Sequence, residues 1–149
     1  MTAAPERPRV GVQTLEQELA RALDGEVAFD DYSRHLFSQD ASMYTMTPVG
    51  VVYPAHTADV VAAVRLAREA GIPVLARGAG TSLAGQTVGP GLVLDLSRHM
   101  HRITELDPET ATARVEPGVV QDDLNRAAAA HGLMSVSYTH LTLPTNREV

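Results

Sequence analysis

Five glycines and a proline fall within the fourteen residues from Gly78 to Gly91, and no other stretch limits the fold as much. It follows Ile72-Pro73-Val74-Leu75-Ala76, a short apolar run of the kind that makes a buried strand. A helix cannot pass through what comes next: Ala84 to Gly91 alone holds three glycines and the proline. The chain must therefore leave a strand and enter a long irregular loop. At its head, Gly78 and Gly80 let the backbone turn tightly with no Cβ in the way. Exposed amides in such a turn converge on an anion, and a diphosphate is the usual guest. Thr81 and Ser82 add hydroxyl donors, so Arg77-Gly78-Ala79-Gly80-Thr81-Ser82 reads as a phosphate-cradling loop.

The dinucleotide fingerprint G-x-G-x-x-G does not fit this loop. Gly78 and Gly80 match its first two glycines, but the third position is Leu83. That fingerprint also needs a helix to start at the loop and aim its N-terminus at the pyrophosphate. Asp95 stands near where a ribose-binding acid belongs, but without the helix the match is weak. A Walker loop is excluded because no Gly-Lys-Ser/Thr follows.

The remaining elements place the loop in an α+β domain. Thr14 to Leu23 is expected to be a short helix capped by Thr14, with Leu15, Leu19, Ala22 and Leu23 on one face. Tyr32 to Ser38 suggests a second helical turn, followed by the polar segment Gln39 to Thr47. Val49 to Tyr53 reads as a strand closed by Pro54. Thr57 is a good N-cap for the next helix, and Asp59 sits in its first turn, where the dipole favours negative charge. Val60, Ala63, Val64, Ala67 and Ala70 form its expected core stripe, with Arg65, Arg68 and Glu69 outside. Gly71 and Pro73 stop it. Strand, helix and strand make a parallel, right-handed β-α-β unit, and the glycine loop lies at the second strand's C-terminal end, where such folds hold ligands. Leu92 to Leu96 is a further strand. Ile103 to Leu106 and Thr112 to Val115 form a hairpin around Asp107-Pro108-Glu109-Thr110. Val119 to His131 is a final helix.

Composition excludes several function classes. The net charge is −6 and no basic cluster is present, which argues against a nucleic-acid surface. With no cysteine there is no disulfide, thiolate metal site or cysteine nucleophile. No apolar run reaches the ~20 residues that span a bilayer. Met1 to Arg9 lacks a signal-peptide core, so the expected location is cytoplasmic. His99-Met100-His101 supplies only two ligands on alternate residues and reads as a solvated surface turn, so no metal site is assigned. His35 and His56 read as polar surface groups, His131 as a helix C-terminal charge, and Asp40 as a cap or loop-solvating group. Asp95 is expected to make a structural hydrogen bond to a neighbouring turn.

Taken together, the ordered motifs resemble the FAD-linked oxidoreductases of the vanillyl-alcohol oxidase type, which carry a PCMH-type flavin domain. They are Val51-Val52-Tyr53-Pro54 with Thr57-Ala58-Asp59-Val60, then Pro73 to Ser82, Leu83-Ala84-Gly85-Gln86, Val93-Leu94-Asp95-Leu96-Ser97 and Val115-Glu116-Pro117-Gly118-Val119. The resemblance runs from Pro48 to Met134 and is strongest to the glycolate oxidase and D-lactate dehydrogenase branch. It divides the chain into a helical leader (1–44), the first lobe of the flavin domain (45–134) and a tail (135–149) outside the family pattern. The leader from Phe29-Asp30 to Tyr44 is similar to long members that carry an iron–sulfur cluster in a C-terminal domain.

The resemblance implies that a D-2-hydroxy acid is oxidised to a 2-oxo acid, with hydride passing to FAD and electrons then to an acceptor. It assigns the FAD pyrophosphate to Arg77, Gly78, Ala79, Gly80, Thr81 and Ser82, largely through backbone amides, with Gln86 and the Pro117-Gly118 turn also lining the cofactor. Tethered relatives place a His where Thr81 stands, so non-covalent FAD is expected. Substrate-binding and catalytic residues belong to a later domain, and none is assigned within this chain, which is expected to be an N-terminal segment inactive alone. Ser135 to Val149 departs from the family, and Val136 to Leu141 matches a reading frame of a sequencing-library adaptor, so this tail is expected not to be biological; the alternative is a divergent strand, helped by its β-branched residues. A non-catalytic nucleotide-binding module, or a fragment that folds without ligand, is the alternative reading.

Overall fold

A computed structural model of the chain describes residues 11–135. The expectation about the tail falls on residues of which all but Ser135 lie outside that range. The elements are α1 (Val12–Ala22), β1 (Glu26–Ala28), α2 (Asp31–Leu36), β2 (Gly50–Tyr53), α3 (Thr57–Ala70), β3 (Val74–Arg77), β4 (Leu92–Asp95), β5 (Ile103–Asp107), β6 (Thr112–Val115) and α4 (Gln121–Ala129). Four strands make one sheet in the order β1-β2-β4-β3, and β5 and β6 make a separate hairpin. This is the α+β architecture expected, with the β-α-β unit present. Its two strands are not neighbours, because β4 runs between them, parallel to both.

β2 and β4 are the central strands, and all their residues are buried. Continuous Val and Leu suit strands covered on both faces. On one face, Val52, Leu92 and Leu94 pack with Leu15 and Leu19 of α1 and Ala63, Leu66, Ala67 and Ala70 of α3. On the other, Val51 and Val93 pack with Phe37 and Tyr53, whose rings meet edge to face at 5.8 Å. Three-residue β1 adds an antiparallel edge through Glu26↔Tyr53 and Ala28↔Val51, a strand the sequence reading missed.

Both long helices differ from the sequence reading in detail. α1 starts after Gly11, which leaves Thr14 inside the helix and Ala22 exposed while Leu23 is buried. In α3 the buried set is Asp59, Ala63, Leu66, Ala67 and Ala70; Leu66 replaces Val64, which is exposed. Gly71 ends α3 at φ 70°, as expected. The N-cap is His56, not Thr57: its ring accepts from the amide of Asp59.

Asp59 does more than complement a dipole. Its side chain accepts from three backbone amides: Oδ1 from Asp24, and Oδ2 from Gly25 and Ala55. Burial pushes its pKa up, but those amides and nearby His56 outweigh burial and hold it below the ordinary carboxylate value. The turn after α1, the end of β2 and the start of α3 are thus pinned at one carboxylate.

Candidate functional site

The glycine loop leaves β3 at its C-terminal end, where the last register pair is Arg77↔Asp95. Residues Gly78 to Ala84, with Gln86 and Thr87, line an open cleft of about 600 Å³. Among the described residues, no charged side chain lines it. The amides of Gly78, Ala79, Gly80 and Thr81 donate to no backbone acceptor among the described residues. Four successive free amides beside an open cleft form a concavity suited to an anion, recognised by dipoles and not by formal charge.

Gly78 and Gly80 are glycines for different reasons. At Gly80 the backbone is left-handed (φ 70°), and a Cβ would collide with the Arg77 guanidinium. At Gly78 a Cβ would meet nothing within 4 Å. The fold therefore requires Gly80, while at Gly78 the protein leaves room that a guest can occupy.

Two residues expected among the phosphate donors have other roles. Ser82 Oγ accepts from the amides of Gln86 (3.1 Å) and Ala84 (3.4 Å) and donates to Gln86 Oε1, which folds residues 82–86 into a turn. Arg77 does not line the cleft. Its Nη1 donates to the Phe37 carbonyl at 3.3 Å, and the guanidinium stands 4.9 Å from the Phe37 ring centroid, behind the loop. Thr81 is exposed at the cleft, as are Ala79 and Gln86.

Pro117 and Gly118 do not line this cleft either. Gly118 donates to the Met100 carbonyl, and a Cβ on it would strike the Leu96 carbonyl. Leu96 in turn donates to the Arg77 carbonyl at 2.9 Å, so the Pro117-Gly118 turn is two steps from the loop's first residue. Asp95 behaves as expected, accepting from the amide and hydroxyl of Ser97.

Of the histidines, His99 bonds Glu26 at 3.1 Å and His101 is exposed, but Met100 between them is buried, so this is not a fully solvated turn. Asp24, His56 and Asp59 are close enough together to suggest a cation site. Their atoms are engaged already: His56 Nε2 meets Asp24 at 2.9 Å, and both Asp59 oxygens accept from amides. The group is a hydrogen-bonded knot. No helix among the described residues is long and apolar enough to cross a membrane.

Sequence reasoning missed the contacts behind the loop. Asp40 does solvate its own turn, accepting from the Ser42 amide, but it also accepts from Thr87 Oγ1 at 2.9 Å. An Asp beside Ala and Ser gave the turn; nothing local pointed to a partner so far along the chain.

The family model described as "FAD binding domain" matches residues 48–142. A D-2-hydroxyglutarate dehydrogenase of Escherichia coli is 41% identical over 118 residues, covering 77% of this chain and 11% of that protein. A glycolate oxidase subunit of Bacillus subtilis is 38% identical over 116 residues, covering 74% and 24%. Among solved structures, 6-hydroxy-D-nicotine oxidase from Arthrobacter nicotinovorans superposes with a TM-score of 0.66 at 30% identity, covering 77% of this chain and 26% of that one. The chain thus spans about a tenth to a quarter of the length of the curated relatives named here.

Proposed function

This chain belongs to the FAD binding domain family, and from that premise we propose that it supplies the diphosphate-holding lobe of an FAD-dependent oxidoreductase acting on a small D-2-hydroxy acid. One observation carries the reading: the free amides of Gly78 to Thr81 beside an open cleft, with unfilled space at Gly78. Backbone donors in this arrangement would hold the pyrophosphate. Ser82 and Gln86 would keep the turn that presents them, and Thr81 would add its hydroxyl. Pro117 and Gly118 would support the start of the loop from behind, through Leu96, which donates to the Arg77 carbonyl. The substrate class is taken from the relatives, which are a D-2-hydroxyglutarate dehydrogenase and a glycolate oxidase subunit.

Bound FAD supplies the acceptor for the electrons removed from the hydroxyl-bearing carbon. This chain's part is to bind and orient the cofactor's phosphates, and no residue here is assigned to proton transfer. Thr81 offers no ring nitrogen for a covalent tether and the chain has no cysteine, so this lobe holds the flavin by non-covalent contacts.

The two glycines test the proposal. Gly78→Ala should leave stability within about 0.5 kcal/mol of wild type, because the protein itself offers no clash. It should still lower the flavin retained per protein. Losing one amide–phosphate bond, at roughly 1.5–3 kcal/mol for a charged partner, weakens binding about ten- to a hundredfold. Gly80→Asp should abolish flavin, because the left-handed backbone and the Arg77 guanidinium leave no place for the side chain, so the loop's amides are displaced and a carboxylate is added beside the phosphates. Full flavin content in both variants would mean the loop is only a turn. Acid precipitation of the wild type should leave flavin in the supernatant; a yellow pellet would show a covalent bond.

A further inference from the structure

The free amides raise a physical question: what keeps the loop in a conformation that leaves four donors unpaired? The loop's own bonds fold Ser82 to Gln86 and join Val88 to the Gly85 carbonyl, and none of them reaches residues 78–81. Val49 donates to the Gly91 carbonyl at the loop's far end, and one upstream segment, Phe37 to Thr45, reaches the rest of the loop at four points. Ala41 donates to the Gly80 carbonyl at 3.0 Å, and Thr87 donates to Asp40 at 2.9 Å. Arg77 reaches back to the Phe37 carbonyl and ring. The Tyr44 ring fills the place where a Gly85 side chain would stand.

The segment is itself well fixed. Gln39 and Thr45 form a bridge, Met46 donates to the Ser38 carbonyl at 2.9 Å, and buried Ser38 bonds the His35 carbonyl. The Ser42 hydrogen bonds, with Thr87, hold Asp40 at a pKa of about 2, so its bond to Thr87 is charge-assisted. None of Phe37 to Thr45 lines the cleft, and the segment precedes the residues matched by the family model.

We propose that Phe37 to Thr45 is a strap that positions the glycine loop for its ligand, with Asp40 and Arg77 as positioning residues that never touch it. Part of this rests on the FAD reading, because the ligand named is FAD; the strapping of the loop does not. A loop released from the strap spends less time in the open-amide form, and apparent affinity falls in proportion to that fraction.

The test uses Asp40→Ala and Arg77→Met, with Asp40→Asn as the conservative variant, since an amide can still serve both Ser42 and Thr87. Backbone 15N order parameters are measured without ligand, and FAD binding is measured separately. Order parameters across residues 78–87 should fall from about 0.85 towards 0.6 in Asp40→Ala and Arg77→Met, while those of β2 and β4 stay unchanged. FAD affinity should drop about tenfold in both, in step with a tenfold loss of the competent fraction, and Asp40→Asn should recover most of it. Unchanged loop order parameters would overturn the strap whatever FAD does. So would β2 and β4 loosening together with the loop, which is the mark of general destabilisation. A loosened loop with unaltered FAD affinity would overturn the positioning role. A wild type that binds no FAD, together with loops that loosen as described in the two variants, would sink the FAD reading and leave the strap standing.

Discussion

The sheet and the hairpin are held together by different means. In the sheet, β2 and β4 are buried along their whole length, and α1 and α3 cover one face. In the hairpin, β6 is exposed at every residue, and α4 beyond it buries only Ala128. Polar bonds take over there. Asp107 accepts from the amides of Glu109 and Thr110 and from the Thr110 hydroxyl, and Arg102 meets Glu116 at 2.6 Å. Val115, Val120 and Met134 stay on the surface. Burial therefore fixes the platform from which the glycine loop springs, whereas the hairpin keeps its shape by local bonds in water, where each contributes little.

The sharpest way to break this contrast is to cut both halves and compare. Leu94→Ala, in the central strand, should cost about 2–5 kcal/mol in urea unfolding, since the deleted methyls leave a cavity between sheet and helices. A loss under 1 kcal/mol would mean that the sheet is not the stabilising unit. A smaller effect is expected at Asp59. Asp59→Asn removes the charge that three amides solvate and should cost about 1–3 kcal/mol near neutral pH. Because the folded pKa is depressed, the contribution is present above the ordinary value of 3.8 and is lost as pH falls through the folded value. Wild type and variant should therefore converge in stability below pH 3.8; parallel curves would show that Asp59 has no such linkage. The smallest effect belongs to the hairpin, where Val115→Thr should change stability by less than about 0.5 kcal/mol in the same titration. A loss matching that of Leu94→Ala would erase the distinction between the halves.

The parts of the fold that local pattern controls were legible in the sequence. Strand β2, helix α3 with its Gly71 stop, and the β5–β6 turn each follow from neighbours a few residues apart. The stripe of α3 was misjudged by a small rotation, because Val64 looks as apolar as Leu66 until α1 is seen to pack on the latter's side. β1 was missed because three residues carry no period and exist only by pairing with β2. At the site, the glycines were legible because backbone geometry demands them. The directions of Arg77 and Asp40 were not: their partners, Phe37 and Thr87, lie 40 and 47 positions away.

The strand order has a consequence for how the molecule assembles. The chain is synthesised as β2, α3, β3 and then β4, yet β4 ends between the other two. Until it arrives, β2 and β3 have no hydrogen-bonded neighbour in each other, and two parallel edges stand open to foreign strands. Residues 78–91 are the tether that must swing the central strand into that gap. The entropy of closing this tether, set by its glycines and its length, is then part of the folding barrier. A mutation that stiffens the loop would alter how fast the sheet completes itself, quite apart from anything the loop binds.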